Sequence, residues 1–222
     1  MKIKLVHFAT IFLLALFLYN SSHGAVNSNN QNSTKESKNI SRKHHNLQMG
    51  MRKLWIDHIV WTRNFIISSL ADLPDKDAVT TRLLNNQKDI GDAIKPFYGE
   101  EASLKLTKLL TQHILTAADI VTAAKSGNSE KVTLHSNEWY KNADEIALFL
   151  NQANPKHWAL ADLQLMMHEH LKLTTDELMA RLNKNWEDDV VAYNKIHEEI
   201  LMMSDMLSEG IIKQFPKHKN FQ

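Results

Sequence analysis

Leu106-Thr107-Lys108-Leu109-Leu110-Thr111-Gln112-His113-Ile114-Leu115-Thr116-Ala117-Ala118-Asp119-Ile120 decides the fold class. Its Leu106, Leu110, His113, Ala117 and Ile120 recur at three- and four-residue spacings. That is the period of an amphipathic helix, not the alternation of a strand. The same stripe occurs upstream at Leu54, His58, Trp61 and Phe65, and downstream at Leu163, Met167, His170 and Thr174. These three stripes predict an all-α chain.

Between the stripes the sequence carries helix-breaking chemistry. Breaks fall at Leu73-Pro74-Asp75, Pro96-Phe97-Tyr98-Gly99, Ser126-Gly127-Asn128, Asn154-Pro155, Asn183-Lys184-Asn185 and Phe215-Pro216. Proline lacks an amide donor and disfavours a helical residue before it, while Gly and Asn tolerate the left-handed cap. The pattern predicts about six helices of roughly 20–30 residues, joined by short turns in an up-down bundle over residues 47–216. Asp75 is a candidate N-cap.

The odd-numbered helices resemble one another. Asp57-His58-Ile59, Gln112-His113-Ile114 and Glu169-His170-Leu171 each place an aliphatic residue after the imidazole, and Asn64, Asp119 or Asp176 six positions on. The even-numbered helices align at Asn86-Gln87-Lys88-Asp89-Ile90, Asn142-Ala143-Asp144-Glu145-Ile146 and Ile196-His197-Glu198-Glu199-Ile200. The imidazoles stand 55 and 57 residues apart, so the period is a whole hairpin. Three related helical hairpins are expected. In up-down connectivity they bring His58, His113 and His170 to similar heights.

The N-terminus reads as an export signal over residues 1–24. Lys2 and Lys4 precede an apolar run from Leu5 to Tyr19, and small residues Ser21, Ser22, Gly24 and Ala25 follow. The run is shorter than the ~20 residues of a membrane-spanning helix. Cleavage after Gly24 would leave a periplasmic or extracellular protein with no integral membrane domain; an uncleaved anchor is the alternative. Residues 25–46 are polar and read as a disordered tether, because they bury too little apolar surface to offset ordering entropy. Residues 217–222 read as a C-terminal tail.

Composition removes several function classes. The formal net charge is +1 with histidine neutral, and loss of Lys2 and Lys4 with a leader shifts it by two units to −1. Neither value favours a nucleic-acid partner. There is no cysteine, which excludes disulfides, thiol catalysis and thiolate metal sites. No Gly-rich phosphate loop, nucleophile elbow or dinucleotide fingerprint is present.

Three imidazoles converging on a point can hold a divalent metal such as zinc or iron with an open position. His58, His113 and His170 are the candidate ligands. His197 is a fourth, one turn after Tyr193 and able to approach His170 across its hairpin. His168 lies about 200° round the helix from His170 and is expected to face outward. Asp57, Trp61, Arg63, Asn86, Asp89, Asn142 and Tyr193 are candidates for a ligand pocket beside these rings. The alternative for each His is a core residue whose ring nitrogens are hydrogen-bonded. No Glu-x-x-His pair sits at inward positions, so a ferritin-like diiron centre is rejected. Met166, Met167, Met202, Met203 and Met206 lack the spacing of a copper motif and read as core filling.

Leu54-Trp55-Ile56-Asp57-His58-Ile59-Val60-Trp61-Thr62-Arg63, residues 82–91 and 203–216, and Asn151-Gln152-Ala153-Asn154-Pro155 carry a resemblance. They are similar to a family of uncharacterised bacterial all-helical proteins, over residues 54–216. The resemblance implies the helical fold and no particular activity. Three functions therefore stand as expectations. One is a binding protein for a metal ion or small ligand. Another is a hydrolase using His170, His197, Asp57 and Arg63 as acid–base groups. The third is a structural or protein-interaction module of the cell envelope.

Overall fold

The computed structural model describes residues 24–217, with side chains from Lys35 and from Lys38 onward. It is an all-α bundle, with no strand among the described residues. The elements are α1 (Gly24–Leu70), α2 (Lys76–Lys125), α3 (Ser129–Ala153), α4 (Leu160–Leu182) and α5 (Trp186–Gln214). The chain divides into two compact units, Met1–Asn39 and Ile40–Gln222, and all that follows concerns the second. The expected export signal lies outside the described residues except for Gly24, and the expected tail does so except for Lys217. No described helix is long and apolar enough to cross a membrane.

Two features differ from the sequence expectation. Helix α1 begins at Gly24 and runs on through residues 25–46, the stretch expected to be a disordered tether. That stretch has only Ala25, Val26 and Ile40 as apolar residues but also lacks proline, and helix propensity does not require an apolar face. The second difference is the count. At the expected break at Pro96–Gly99 two helical stretches meet across a kink inside α2, with no intervening turn to separate them. Only Gly99 leaves the helical region, at φ 84° and ψ 177°, a conformation that glycine adopts without steric cost. A single glycine bends the path there without adding a loop.

The remaining ends fall close to the sequence breaks. Asn128 caps α3, its Oδ1 accepting from Lys131 N at 3.0 Å. Asp75 occupies the N-cap position of α2 but makes no side-chain capping bond. Helix α3 packs on α2 and α4, and α4 packs on α5. Polar contacts tie α1 to its neighbours. Asn86 of α2 donates to Leu54 O at 3.0 Å, and Arg52 donates to both carboxylate oxygens of Asp205 on α5 at 2.6 and 2.5 Å. Where α5 passes the α3–α4 turn, Gly210 leaves room for the buried Trp158 ring. A Cβ there would stand 1.9 Å from Trp158 Nε1.

The apolar core follows the periodicity of the odd stripes. Seven residues before each imidazole stand Met51, Leu106 and Leu163; three before stand Trp55, Leu110 and Met167; one after stand Ile59, Ile114 and Leu171. All nine are buried. Burying a side chain of this size contributes about 1.5–3 kcal/mol each, before the entropy of ordering is subtracted.

Candidate functional site

His58, His113 and His170 interrupt this apolar core as a polar layer. They are 3%, 3% and 5% exposed. An unpaired polar group in such a place costs a few kcal/mol, so each ring needs a partner. Each finds one on the next stretch of helix, 29 residues further on. His58 Nδ1 lies 3.3 Å from Gln87 Nε2, His113 Nδ1 lies 2.8 Å from Asn142 Oδ1, and His170 Nδ1 lies 2.8 Å from Glu199 Oε2. All three rings are thus held through Nδ1, which turns Nε2 to the other side of each ring.

The rings are neighbours. The centroids of His58 and His170 are 5.7 Å apart. Trp55 meets His58 edge-on at 5.7 Å, and Trp139 lies against His113 at 5.1 Å. Burial first, and then the neighbouring imidazoles, hold His58 well below its ordinary pKa, outweighing the opposing bond to Gln87. His113 is pushed down to about 3 by burial and by His170, against the bond to Asn142. Both rings are therefore neutral at ordinary pH. Gln87 Oε1 and Glu199 Oε1 are buried without a hydrogen-bond partner, as are the indole nitrogens of Trp55 and Trp139.

The available space limits what this layer can hold. A cavity of about 30 Å³ lies one turn beyond the rings, lined by Thr62, Ala117 and Thr174 among others. A second, of about 20 Å³, is lined by Trp55, Leu110 and Met167, one turn before them. Both have apolar linings, and both are far smaller than the ~300 Å³ that an organic ligand needs. Neither cavity admits a metabolite, and neither is lined by the three imidazoles. A polar groove of about 380 Å³ lies elsewhere, by Asp176, Asn183, Asp188 and Lys195 at the α4–α5 turn.

The other expected site residues separate into different clusters. His197 is half-buried, and it is Glu199, not His197, that reaches His170. Two positions along a helix are 200° apart, so only one of the two can face the ring. Asp57 pairs with Lys53 at 2.7 Å and Arg82 at 3.4 Å, while the exposed Asp89 also faces Arg82, which stacks over Trp61. Asn86 and Asn142 do join the histidine layer, donating to Leu54 O and Leu109 O respectively. None of the seven expected pocket residues lines any of the three cavities above. His168 is half-exposed and lies 3.0 Å from Asp144, in keeping with its outward position.

Arg63 and Tyr193 belong to a buried ion network two turns beyond the histidines. Arg63 donates to Glu177, to Asp189 Oδ1 at 2.8 Å and to Asp189 Oδ2 at 2.9 Å, and it stacks over Tyr193. Arg181 donates to the same Asp189 at 2.9 Å. Burial pushes the Glu177 carboxyl up to about 7 despite Arg63. Burial alone would raise Asp189 too, but the two guanidinium groups outweigh it and hold it below the usual range. The four groups proposed for hydrolysis thus serve different clusters: His170 with Glu199, Asp57 with Lys53 and Arg82, Arg63 with its carboxylates, and His197 apart.

Gln87, Glu199 and Glu177 are the polar residues that sequence reasoning missed. The signal that would have found the first two is the constant interval of 29 residues from each imidazole to an amide or carboxylate. Among the described residues, no three or more His, Asp or Glu side chains already stand in metal-ligand positions about one point. No family model, curated protein or solved structure matches the chain.

Proposed function

We propose that the chain is an exported binding protein, built as three related helical hairpins, that holds one divalent transition ion between His58, His113 and His170. The observation that carries this reading is the shared mode of holding: three buried neighbouring rings, each fixed through Nδ1 by a side chain 29 residues on. Metal-ligating histidines donate their other ring N–H to a carboxylate, carbonyl or water, and Asn142 Oδ1 and Glu199 Oε2 stand as such acceptors for two of the three rings. Rings that share one zinc at 2.0–2.1 Å stand about 5 Å apart by centroid. The centroids of His58 and His170 stand 5.7 Å apart, near that spacing. Glu199, 6% exposed, holds His170 through Nδ1 with a carboxyl oxygen.

The bonds that support a metal would also satisfy three purely structural histidines, and the test must separate the two. Elemental analysis of untagged protein purified without chelator is the first measurement. About one zinc or iron per chain is expected, lost in His113→Ala and His170→Ala while helicity is kept. Metal-free wild-type protein, with both variants merely less stable, would make the layer a structural feature. Intact mass of protein from the envelope fraction tests export, and a mass retaining residues 1–24 would contradict cleavage.

A further inference from the structure

The groove at the α4–α5 turn stands apart from both buried layers. Its walls are one face of each helix. Helix α4 contributes Asp176, Met179 and Ala180, and α5 contributes Asp188, Val191, Ala192 and Lys195. Spacings of three, four and seven residues put the α5 set on one side of its helix. Met179 is 41% exposed and Val191 49%, so apolar surface meets water along the middle of the groove. The charges sit at its ends. Asp188 lies in the first turn of α5, and Lys195 stands about 10 Å further along the same face. Among the described residues Lys195 pairs with no carboxylate, and Asp188 bonds only the Asn185 amide. Asp176 is matched on its own helix by Lys172 at 2.8 Å. The two charges left over are thus opposite in sign, with Val191 and Ala192 midway between them.

We infer that this groove is the docking surface for a second copy of the chain, packed through α5 about a two-fold axis that passes between Val191 and Ala192. Such an axis reverses the helix, so Asp188 of each copy faces Lys195 of the other. A two-fold contact uses the same patch on both copies, and the patch must therefore complement itself. This one does, because its charges are of opposite sign at equal distances from its apolar middle. Each Val191 enters the other copy's groove beside Met179, and the small side chains of Ala180 and Ala192 permit the close approach. A ligand carrying one sign of charge would match one end of the groove and be repelled at the other. The contact covers only about two turns of each helix, well below the ~800 Å² per partner of a standard interface, so the dimer is weak and exchanges freely.

Analytical sedimentation of the purified protein, with chelator present, tests this apart from the metal reading. Half-dissociation is expected between about 10 and 100 µM. Protein that stays monomeric up to about 1 mM overturns the inference. Charge reversal then identifies the surface. Asp188→Lys and Lys195→Glu each set like charges opposite one another twice, and each alone should weaken association about tenfold or more. Mixed in equal amounts, the two variants should recover it as a heterodimer, because every facing pair is again of opposite sign. Circular dichroism checks that each variant keeps its helices. Should Asp188→Lys lose them, Val191→Glu at its exposed position is expected to leave the chain helical and monomeric. Dimers that persist in either reversed variant or in Val191→Glu assign the contact to another surface and overturn the inference. Two folded, monomeric variants that fail to pair on mixing overturn the two-fold arrangement.

Discussion

Two polar layers cross the same apolar bundle, and they are completed by different means. The histidine layer is built from His58 and His113, both neutral, and from His170 beside Glu199, with acceptor atoms on Gln87 and Glu199 left unpaired. The layer two turns away is ionic: Arg63 and Arg181 converge on Asp189, and Arg63 also reaches Glu177. Its charges are matched within the protein, and breaking one partner exposes the others. The comparison teaches where each task resides. The ionic layer locks α1 to α4 and α5, while the histidine layer leaves buried acceptors of Gln87 and Glu199 unpaired.

The largest effect should come from breaking the ionic layer. Asp189→Ala leaves two guanidinium groups without their shared carboxylate and should cost about 3–5 kcal/mol, read by urea unfolding. A loss below about 1 kcal/mol would show that solvent already screens this network and would erase the contrast between layers. Next in size is His113→Leu, which keeps the volume but strands Asn142 Oδ1; about 1–3 kcal/mol is expected. Adding Asn142→Leu should recover most of that loss, because the stranded acceptor is removed. Failure to recover would mean that the imidazole contributes more than this one bond.

The smallest effect is a difference in pH slope. Below about 6.5 the unfolded chain takes up protons at His58 and His113 that the folded chain refuses. Each ring thus lowers stability on acidification, by about 1.4 kcal/mol per pH unit. Glu177 acts in the opposite sense. Between its ordinary value and about 7 the folded chain keeps a proton that the unfolded chain has lost, so this contribution falls as pH rises. Two rings outweigh one carboxyl, and wild-type stability should fall as pH drops from 6.5 towards 4.5. His113→Leu should flatten that slope and Glu177→Gln should steepen it. Equal slopes in all three proteins would contradict the assigned protonation states.

The sequence made the helical class legible because a stripe of period 3.6 needs no tertiary information. Leu106, Leu110 and His113 announce their face on their own, as do the equivalents before His58 and His170. The partners of the rings were harder to see. Gln87 and Glu199 meet their histidines across a turn, and whether they do so depends on the lengths of two helices and a loop together. The three partners share an interval but not a residue type, being Gln87, Asn142 and Glu199, so no residue identity marks them. Arg63 and Asp189, 126 residues apart, have no local signature at all. Residues 25–46 were read from their lack of apolar surface, a criterion that speaks to burial and not to helix formation.

The central claim is that the histidine layer is a ligand site and not merely a satisfied core. Titrating zinc into metal-free full-length protein while following the imidazole resonances tests it most directly. One equivalent should shift His58, His113 and His170 together and leave the half-buried His168 and His197 in place. Core rings that stay unchanged through several equivalents would contradict the account.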